Sequence, residues 1–228
     1  MTVHFHSVPD SDASPIKVES GLYDRLGSFY NRIGKRILDC SAIILALPIV
    51  VPLLVLVTAA VAVSGGKPFY FQDRVGLGGR TFRIWKFRSM VHDADKILSS
   101  YLDANPAARA EWDATQKLKD DPRITPIGKF IRKSSIDELP QLINVLLGDM
   151  SLVGPRPMLP EQQSMYPGKA YFALRPGITG LWQVSERNEC EFADRAYYDS
   201  EYGRTVSLRT DLQVLARTVG VVLRGTGY

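Results

Sequence analysis

Histidine and cysteine are scarce in this chain: three histidines and two cysteines among 228 residues. Cys40 and Cys190 lie far apart and in no CxxC pattern, so neither a disulfide framework nor a zinc site is expected. His4 and His6 sit in a polar segment that reads as a tail rather than a metal pair. His92 alone leaves little material for a Ser-His-Asp mechanism. No GxxxxGK[ST] and no GxGxxG occurs, which argues against a kinase, a nucleotidyl transferase or a dinucleotide site. Internal repeats are absent. So is charge of either sign from residue 40 to residue 66.

What is present is close to the globular average, with 45% apolar and 23% charged residues. The length allows one domain. The net charge of +4 suits nucleic acid, anionic lipid or phosphorylated substrates about equally. Residues 1–20 carry Ser, Asp and Pro without periodicity and predict a flexible tail. They have no basic region ahead of an apolar stretch, so a signal peptide is not expected. Leu22, Leu26, Phe29, Ile33 and Ile37 then fall on one helical stripe among Arg25, Arg32, Lys35 and Arg36. This pattern predicts an amphipathic basic helix on an anionic membrane surface.

A helix over the charge-free run 40–66 would measure about 40 Å, enough to cross a hydrocarbon core of ~30 Å. Pro48 and Pro52 predict a kink in its first half. Basic clusters flank it on both sides: Arg25 to Arg36 before, and Lys67, Arg74, Arg80, Arg83, Lys86 and Arg88 after. Positive charge marks the cytoplasmic side. A bent helix that enters and returns keeps both clusters inside, and this re-entrant form is favoured over a straight span. Residues 21–66 are thus expected as a membrane unit and 67–228 as a catalytic domain on the cytoplasmic face.

In that second part, strands are predicted on either side of Gly76-Leu77-Gly78-Gly79 as a hairpin. Two helices are predicted across 93–118, divided at Asn105-Pro106. A short helix is predicted over 126–133 with Ile127, Phe130 and Ile131 inward, and an amphipathic helix from Ser134 that ends at Gly148. A further helix is expected from Glu161 to Tyr166. A last helix carries Leu208, Leu212, Leu215, Val219 and Val222 on one stripe.

Asp137 and Glu138 are adjacent acids at the start of an apolar helix, and two readings of them stay open. Ser135-Ile136-Asp137-Glu138 fits a capping box. Alternatively, a helix N-terminus lowers the pKa of a nearby carboxylate and keeps it anionic, fit to attack phosphorus and hold it covalently. A pyrophosphate target would need a divalent cation between itself and the carboxylates, and Mg²⁺ suits that donor set. Arginine binds phosphate bidentately. Arg132 lies near the pair in sequence, Arg156 is fixed between Pro155 and Pro157, and Arg175 precedes Pro176-Gly177.

KFRSM at 86–90, SIDELPQLINVLLGDMSLVGPRP at 135–157 and RPGITGLWQV at 175–184, in this order after a charge-free segment, resemble the bacterial sugar transferases. These are the monotopic polyprenyl-phosphate phosphoglycosyl transferases, here in the short form that begins exopolysaccharide synthesis. The resemblance covers roughly residues 30 to 228. It implies an α+β, mostly helical fold, membrane-embedded and monotopic, with a re-entrant helix bent at Pro48 and Pro52, a small β-hairpin and interfacial amphipathic helices. The implied activity moves a sugar-1-phosphate from a UDP-sugar to undecaprenyl phosphate through an aspartyl phosphosugar. The catalytic and metal-binding dyad falls on Asp137 and Glu138, with Mg²⁺ as cofactor. Phosphate-contacting arginines fall on Arg132 and Arg156, with Arg175, Lys86 and Arg88 as further candidates. Membrane lipids, not nucleic acid, are the implied partners, at the bacterial inner membrane, and exposed apolar helix faces allow a homodimer. Two positions depart from the family pattern: Val51, where relatives have Ser before the proline, and Glu186, where they have Gly. The competing reading is a non-catalytic scaffold on anionic lipid, in which Asp137 and Glu138 only cap a helix.

Overall fold

The computed structural model describes residues 28–63, 67–115, 118–185 and 192–223. The expected tail over 1–20, Leu22, Arg25, Leu26, Glu186 and Cys190 lie outside them. One π-helical turn, Tyr30–Gly34, leads into the long helix α1, Lys35–Val63. This continuous stretch, Tyr30–Val63, is long and apolar enough to cross a membrane. Pro48 and Pro52 both lie inside α1.

The hairpin forms as the glycines predict. Strands β1, Phe69–Val75, and β2, Thr81–Phe87, pair antiparallel with Tyr70 opposite Lys86. Gly78 and Gly79 take positive φ of 69° and 78° in the turn between them, a conformation open to glycine without strain. Helices α2, Ala94–Ala104, and α3, Pro106–Thr115, divide at Asn105. Helix α4, Pro126–Lys133, is capped by Thr125, whose Oγ1 accepts from the Gly128 N–H. Ile131 is buried as expected, but Phe130 is 63% exposed, because the core-facing side of α4 carries Gly128 and Ile131 instead.

The helix expected from Ser134 is broken. Ile136–Glu138 is a single 3₁₀ turn, and α5 begins only at Gln141, Gln141–Leu147. Pro140 has no N–H to continue a ladder, which separates the two pieces. Gly148 at φ 91° then ends α5 as predicted. Next come β3, Ser151–Val153, a 3₁₀ turn at Pro160–Met165 near the helix expected there, and a second at Ala170–Ala173. Strand β4, Gly177–Thr179, pairs parallel with β3. Helices α6, Leu181–Ser185, α7, Arg195–Thr205, and α8, Leu208–Leu223, complete the described chain.

Both ends of α1 pack on this body. Ile43 shares a buried cluster with Ile84, Val145 and Met150, while Val57 and Val61 share another with Phe87 and Ile131. Between them Ile44, Leu45 and Ile49 are exposed. The basic residues before α1's apolar run do not all face a membrane surface, as the sequence suggested. Lys35 is 4% exposed and donates to Asp211 Oδ2 at 2.6 Å and to Tyr202 Oη at 2.7 Å. Arg36 donates to the carbonyls of Val145 and Leu146, closing the C-terminal turn of α5. Asp39, one turn on, accepts from Ser151 Oγ at 2.7 Å and from Leu152 N at 3.0 Å. A buried ammonium or carboxylate needs such partners, and here they tie α1 to α8, α5 and β3.

Helix α8 carries its apolar stripe largely exposed and turns a different face inward. Asp211 and Val214 are buried, whereas Leu208, Leu212 and Val219 are 49%, 49% and 59% exposed. The polar Asp211 goes inward because Lys35, Tyr30 and Tyr202 bond it there. Leu208, Leu212 and Val219 are left pointing away from the protein, while Leu215 packs on the core.

Candidate active site

Three segments distant in sequence converge on one open cavity of about 680 Å³. The end of β2 brings Lys86, with Arg88 just beyond it. The 3₁₀ turn brings Asp137 and Glu138, and the loop after β3 brings Arg156.

Each is placed by its backbone. Ser89, after β2, is gripped by α4: a Cβ on Gly128 would come within 1.9 Å of the Ser89 carbonyl oxygen, so only glycine permits the contact. Arg132, one helical turn after Gly128, lies on the same face and donates from Nε to Ser89 Oγ at 2.7 Å. The Arg156 loop leaves β3 where Gly154 and Gly177 cross at close range. A Cβ on Gly177 would fall 2.1 Å from the Gly154 nitrogen. Gly177 N donates to Pro155 O at 2.8 Å, and Arg74 Nη1 donates to Pro157 O at 3.1 Å, holding the loop on both sides of Arg156.

Ser135 has φ 56° and makes no cap hydrogen bond with its side chain, so the capping box does not form. Among the described residues, Ser135 and Asp93 are the non-glycine residues with positive φ, and both line this cavity. Non-glycine residues in that region cost of order 1–3 kcal/mol. The backbone kink at Ser135 turns the acids away from an N-cap and into the cavity.

The two carboxylates have unequal surroundings. Glu138 Oε1 accepts from Lys86 Nζ at 2.9 Å and from Arg156 Nη2 at 3.2 Å. Burial opposes its ionisation, but Lys86 and Arg156 together hold it well below the usual carboxylate range. Asp137 lies farther from the same ammonium, with Oδ2 at 4.0 Å from Lys86 Nζ. Burial pushes its carboxyl up to about 6, and the Glu138 charge adds to the rise against Lys86, Arg132 and Arg156. The expected lowering at a helix N-terminus is therefore not found. The acids sit on a 3₁₀ turn ahead of α5 rather than in its first turn, and burial prevails.

Among the described residues no three His, Cys, Asp or Glu side chains gather as metal ligands. The pair Asp137 and Glu138 fits Mg²⁺ only in the manner of sites that keep several waters and add substrate phosphate oxygens to one or two carboxylates. Asp137 is the better donor of the two, since Glu138 is already held by two cations.

Of the residues singled out in the sequence, Lys86, Arg88, Arg132, Arg156, Asp137 and Glu138 all line the cavity. Arg175 does not. Its Nε donates to Gly148 O at 3.2 Å, at the end of α5, and it faces a different hollow with Arg32 and Lys35. The geometry adds Arg74, Arg195 and Gln183, which sequence reasoning passed over. Gln183 lies in the RPGITGLWQV motif, which was a signal. Arg74 and Arg195 carry none, being single arginines on a strand and a helix. Arg195 stacks its guanidinium over Trp182 at 4.1 Å from the ring centroid.

The pattern of the bacterial sugar transferase family matches residues 30–225. The UDP-galactose-lipid carrier transferase of Erwinia amylovora is 47% identical over 206 residues, covering 90% of this chain and 43% of that protein. The undecaprenyl-phosphate galactose phosphotransferase of Salmonella typhimurium is 44% identical over 214 residues, covering 93% and 44%. Exopolysaccharide production protein ExoY of Rhizobium meliloti is 41% identical over 226 residues, covering 97% and 98%. The chain thus spans less than half the length of the first two relatives and nearly all of the third. With the matched region taking in both ends of α1, the acidic turn and the Arg156 loop, the chain belongs to the bacterial sugar transferase family.

Proposed function

We propose that this protein transfers a sugar-1-phosphate from a UDP-sugar to a polyprenyl phosphate, with Asp137 as nucleophile. The observation that carries the reading is the asymmetry of the two acids. Glu138 is locked between Lys86 and Arg156, while Asp137 lines the cationic cavity outside those two short ion pairs, its carboxyl raised by burial. An Asp137 oxygen attacks the phosphorus that bears the sugar. The bond from that phosphorus to the bridging oxygen breaks, and UMP leaves with the oxygen and its electron pair. An oxygen of the lipid phosphate then attacks the same phosphorus. The aspartyl–phosphorus bond breaks, the carboxylate is restored, and polyprenyl diphosphosugar is released.

Lys86, Arg88, Arg132 and Arg156 supply fixed positive charge where the phosphate oxygens must lie. Glu138 holds Lys86 and Arg156 in place. Mg²⁺, held by Asp137 and by Glu138, would neutralise charge on the pyrophosphate.

The membrane arrangement follows from the same reading. A straight helix would separate Ile43 and Val57 by about 21 Å, yet they pack with Ile84 and Phe87, only about 10 Å apart on β2. A bend at Pro48 and Pro52 relieves that mismatch and returns the chain to the side it entered, the cytoplasmic face of a bacterial inner membrane. The exposed stripe on α8 then rests on lipid or on a second copy of the chain.

Asp137→Asn tests the chemistry. The variant should fold and bind membrane but lose turnover. Without acceptor, wild type should release about one equivalent of UMP and keep labelled sugar phosphate on the peptide containing Asp137. UMP release that requires acceptor lipid, or label on another peptide, would refute the covalent step. Normal turnover by Asp137→Asn would remove Asp137 as nucleophile, and absence of turnover in wild type would favour the scaffold.

A further inference from the structure

Beside the cationic cavity lies a second hollow of about 370 Å³ with opposite chemistry. Leu53 of α1, Leu142 of α5, Ile178 of β4, Val184 of α6, and Leu215 and Val221 of α8 wall it with hydrocarbon. Its hydroxyls are turned on one another: Thr179 Oγ1 and Thr218 Oγ1 lie 2.7 Å apart, and Thr218 also donates to Val214 O. Away from Ser134, Ser135, Glu138 and Gln183, the surface offered to a ligand is therefore largely hydrocarbon. Ser135, Glu138 and Gln183 line both hollows, so the apolar groove opens directly beside the reactive acids. Gln183 is 8% exposed. It donates from Nε2 to Ile178 O, and its Oε1 is buried with no hydrogen-bond partner among the described residues. An acceptor left in that state points to a donor on a ligand.

The occupant must be amphiphilic, with an anionic head for the arginines and an apolar tail for the groove. Leu53 fixes the direction of the tail. It lies next to Pro52 in the helix long and apolar enough to enter lipid, so one wall of the groove is continuous with that helix. We propose that this groove seats the first isoprene units of the polyprenyl phosphate acceptor and leads its phosphate past Glu138 to Asp137; the assignment rests on the transfer reaction proposed above. A protonated phosphate oxygen at the head of the tail meets Gln183 Oε1. The hollow holds a few isoprene units, and the rest of the chain lies in the bilayer.

The test uses the full chain in detergent micelles and acceptors with a single isoprene unit or with several. Wild type should prefer the longer acceptor in kcat/KM. Val221→Trp and Val222→Trp fill the outer wall and should lower kcat/KM for the longer acceptor about tenfold, since each buried methylene lost weakens binding several-fold. The chain-length preference should collapse accordingly. Retention of the full preference in both variants overturns the groove. A second measurement needs no turnover: a polyprenyl phosphate with a diazirine in its first isoprene units should label peptides containing Leu142, Val184 or Val221. Label confined to the outer surface at Phe130 and Leu147, or equal competition by a diacyl phosphatidate, overturns the assignment. Groove labelling in a protein that transfers nothing would instead overturn the reaction and keep the groove.

Discussion

Removing the Lys86 ammonium should move the acid limb of the pH–rate profile upward. Lys86 lies 4.0 Å from Asp137 Oδ2 and is the strongest of the groups that oppose the burial-driven rise of that carboxyl. Two unit charges at that distance interact by about 4 kcal/mol at an effective dielectric of about 20, and 1.36 kcal/mol corresponds to one pKa unit. Water in an open cavity screens part of this, and Arg132 and Arg156 remain, so a rise of about one to two units is expected. The sign follows from the charge. With the ammonium gone the anionic form is less favoured, Asp137 protonates at higher pH, and the nucleophile is lost sooner as pH falls. The assay is the initial burst of UMP from wild type and Lys86→Met between pH 5 and 9, without acceptor. Wild type should lose its burst as pH falls through about 6. Lys86→Met should be weak at pH 7 and recover toward pH 9, a recovery that a misfolded variant cannot show. An acid limb at the same pH in both proteins would refute the reasoning and remove Asp137 from the titration.

Arg156→Lys keeps one charge and loses the planar fork that reaches Glu138. Transfer should fall at least about tenfold with unchanged membrane association; near-normal turnover would make Arg156 a turn residue. Lys35→Met leaves the buried Asp211 charge without its cation, with only the Tyr30 and Tyr202 hydroxyls on it, so chemical denaturation should register a loss of about 3 kcal/mol. The double variant Lys35→Met/Asp211→Leu should lose less. Replacing Pro48 and Pro52 together with Ala should disturb topology, read by impermeant labelling of single cysteines placed at Arg32 and at Arg80. Unchanged topology and activity would show that the prolines do not bend the helix.

The local punctuation of the chain was legible. Gly76 to Gly79, Asn105-Pro106 and Gly148 each force a turn or an end whatever surrounds them, and the structure has one at each. The acids and Arg156 were legible as a motif, but their geometry was not. A capping box is a four-residue pattern, and what defeats it is the left-handed Ser135 backbone, which that pattern does not encode. Strands β3 and β4 have three residues each, too short for alternation to register. The stripe on α8 was legible as an apolar face, but not which way the helix turns it. There the inward face is marked by Asp211, a residue that reads as surface until Lys35 is seen beside it. Arg74 and Arg195 reach the cavity only through the folded order of the elements, which no spacing along the chain encodes.

Lys35, Arg36 and Asp39 fasten little more than one turn of α1 to three different elements, just ahead of the charge-free stretch. Under the proposed topology this makes the helix a gauge of depth. The catalytic body cannot tip or rise without breaking buried polar bonds, so Asp137 is kept at one altitude over the lipid headgroups. A water-borne donor and a lipid-borne acceptor can meet only at that level. One residue inserted between Asp39 and Ile43 would turn the helix below it by about 100° and lower it by about 1.5 Å. It would pull Ile43 away from Ile84 and Val57 away from Phe87 as it set the site at the wrong height.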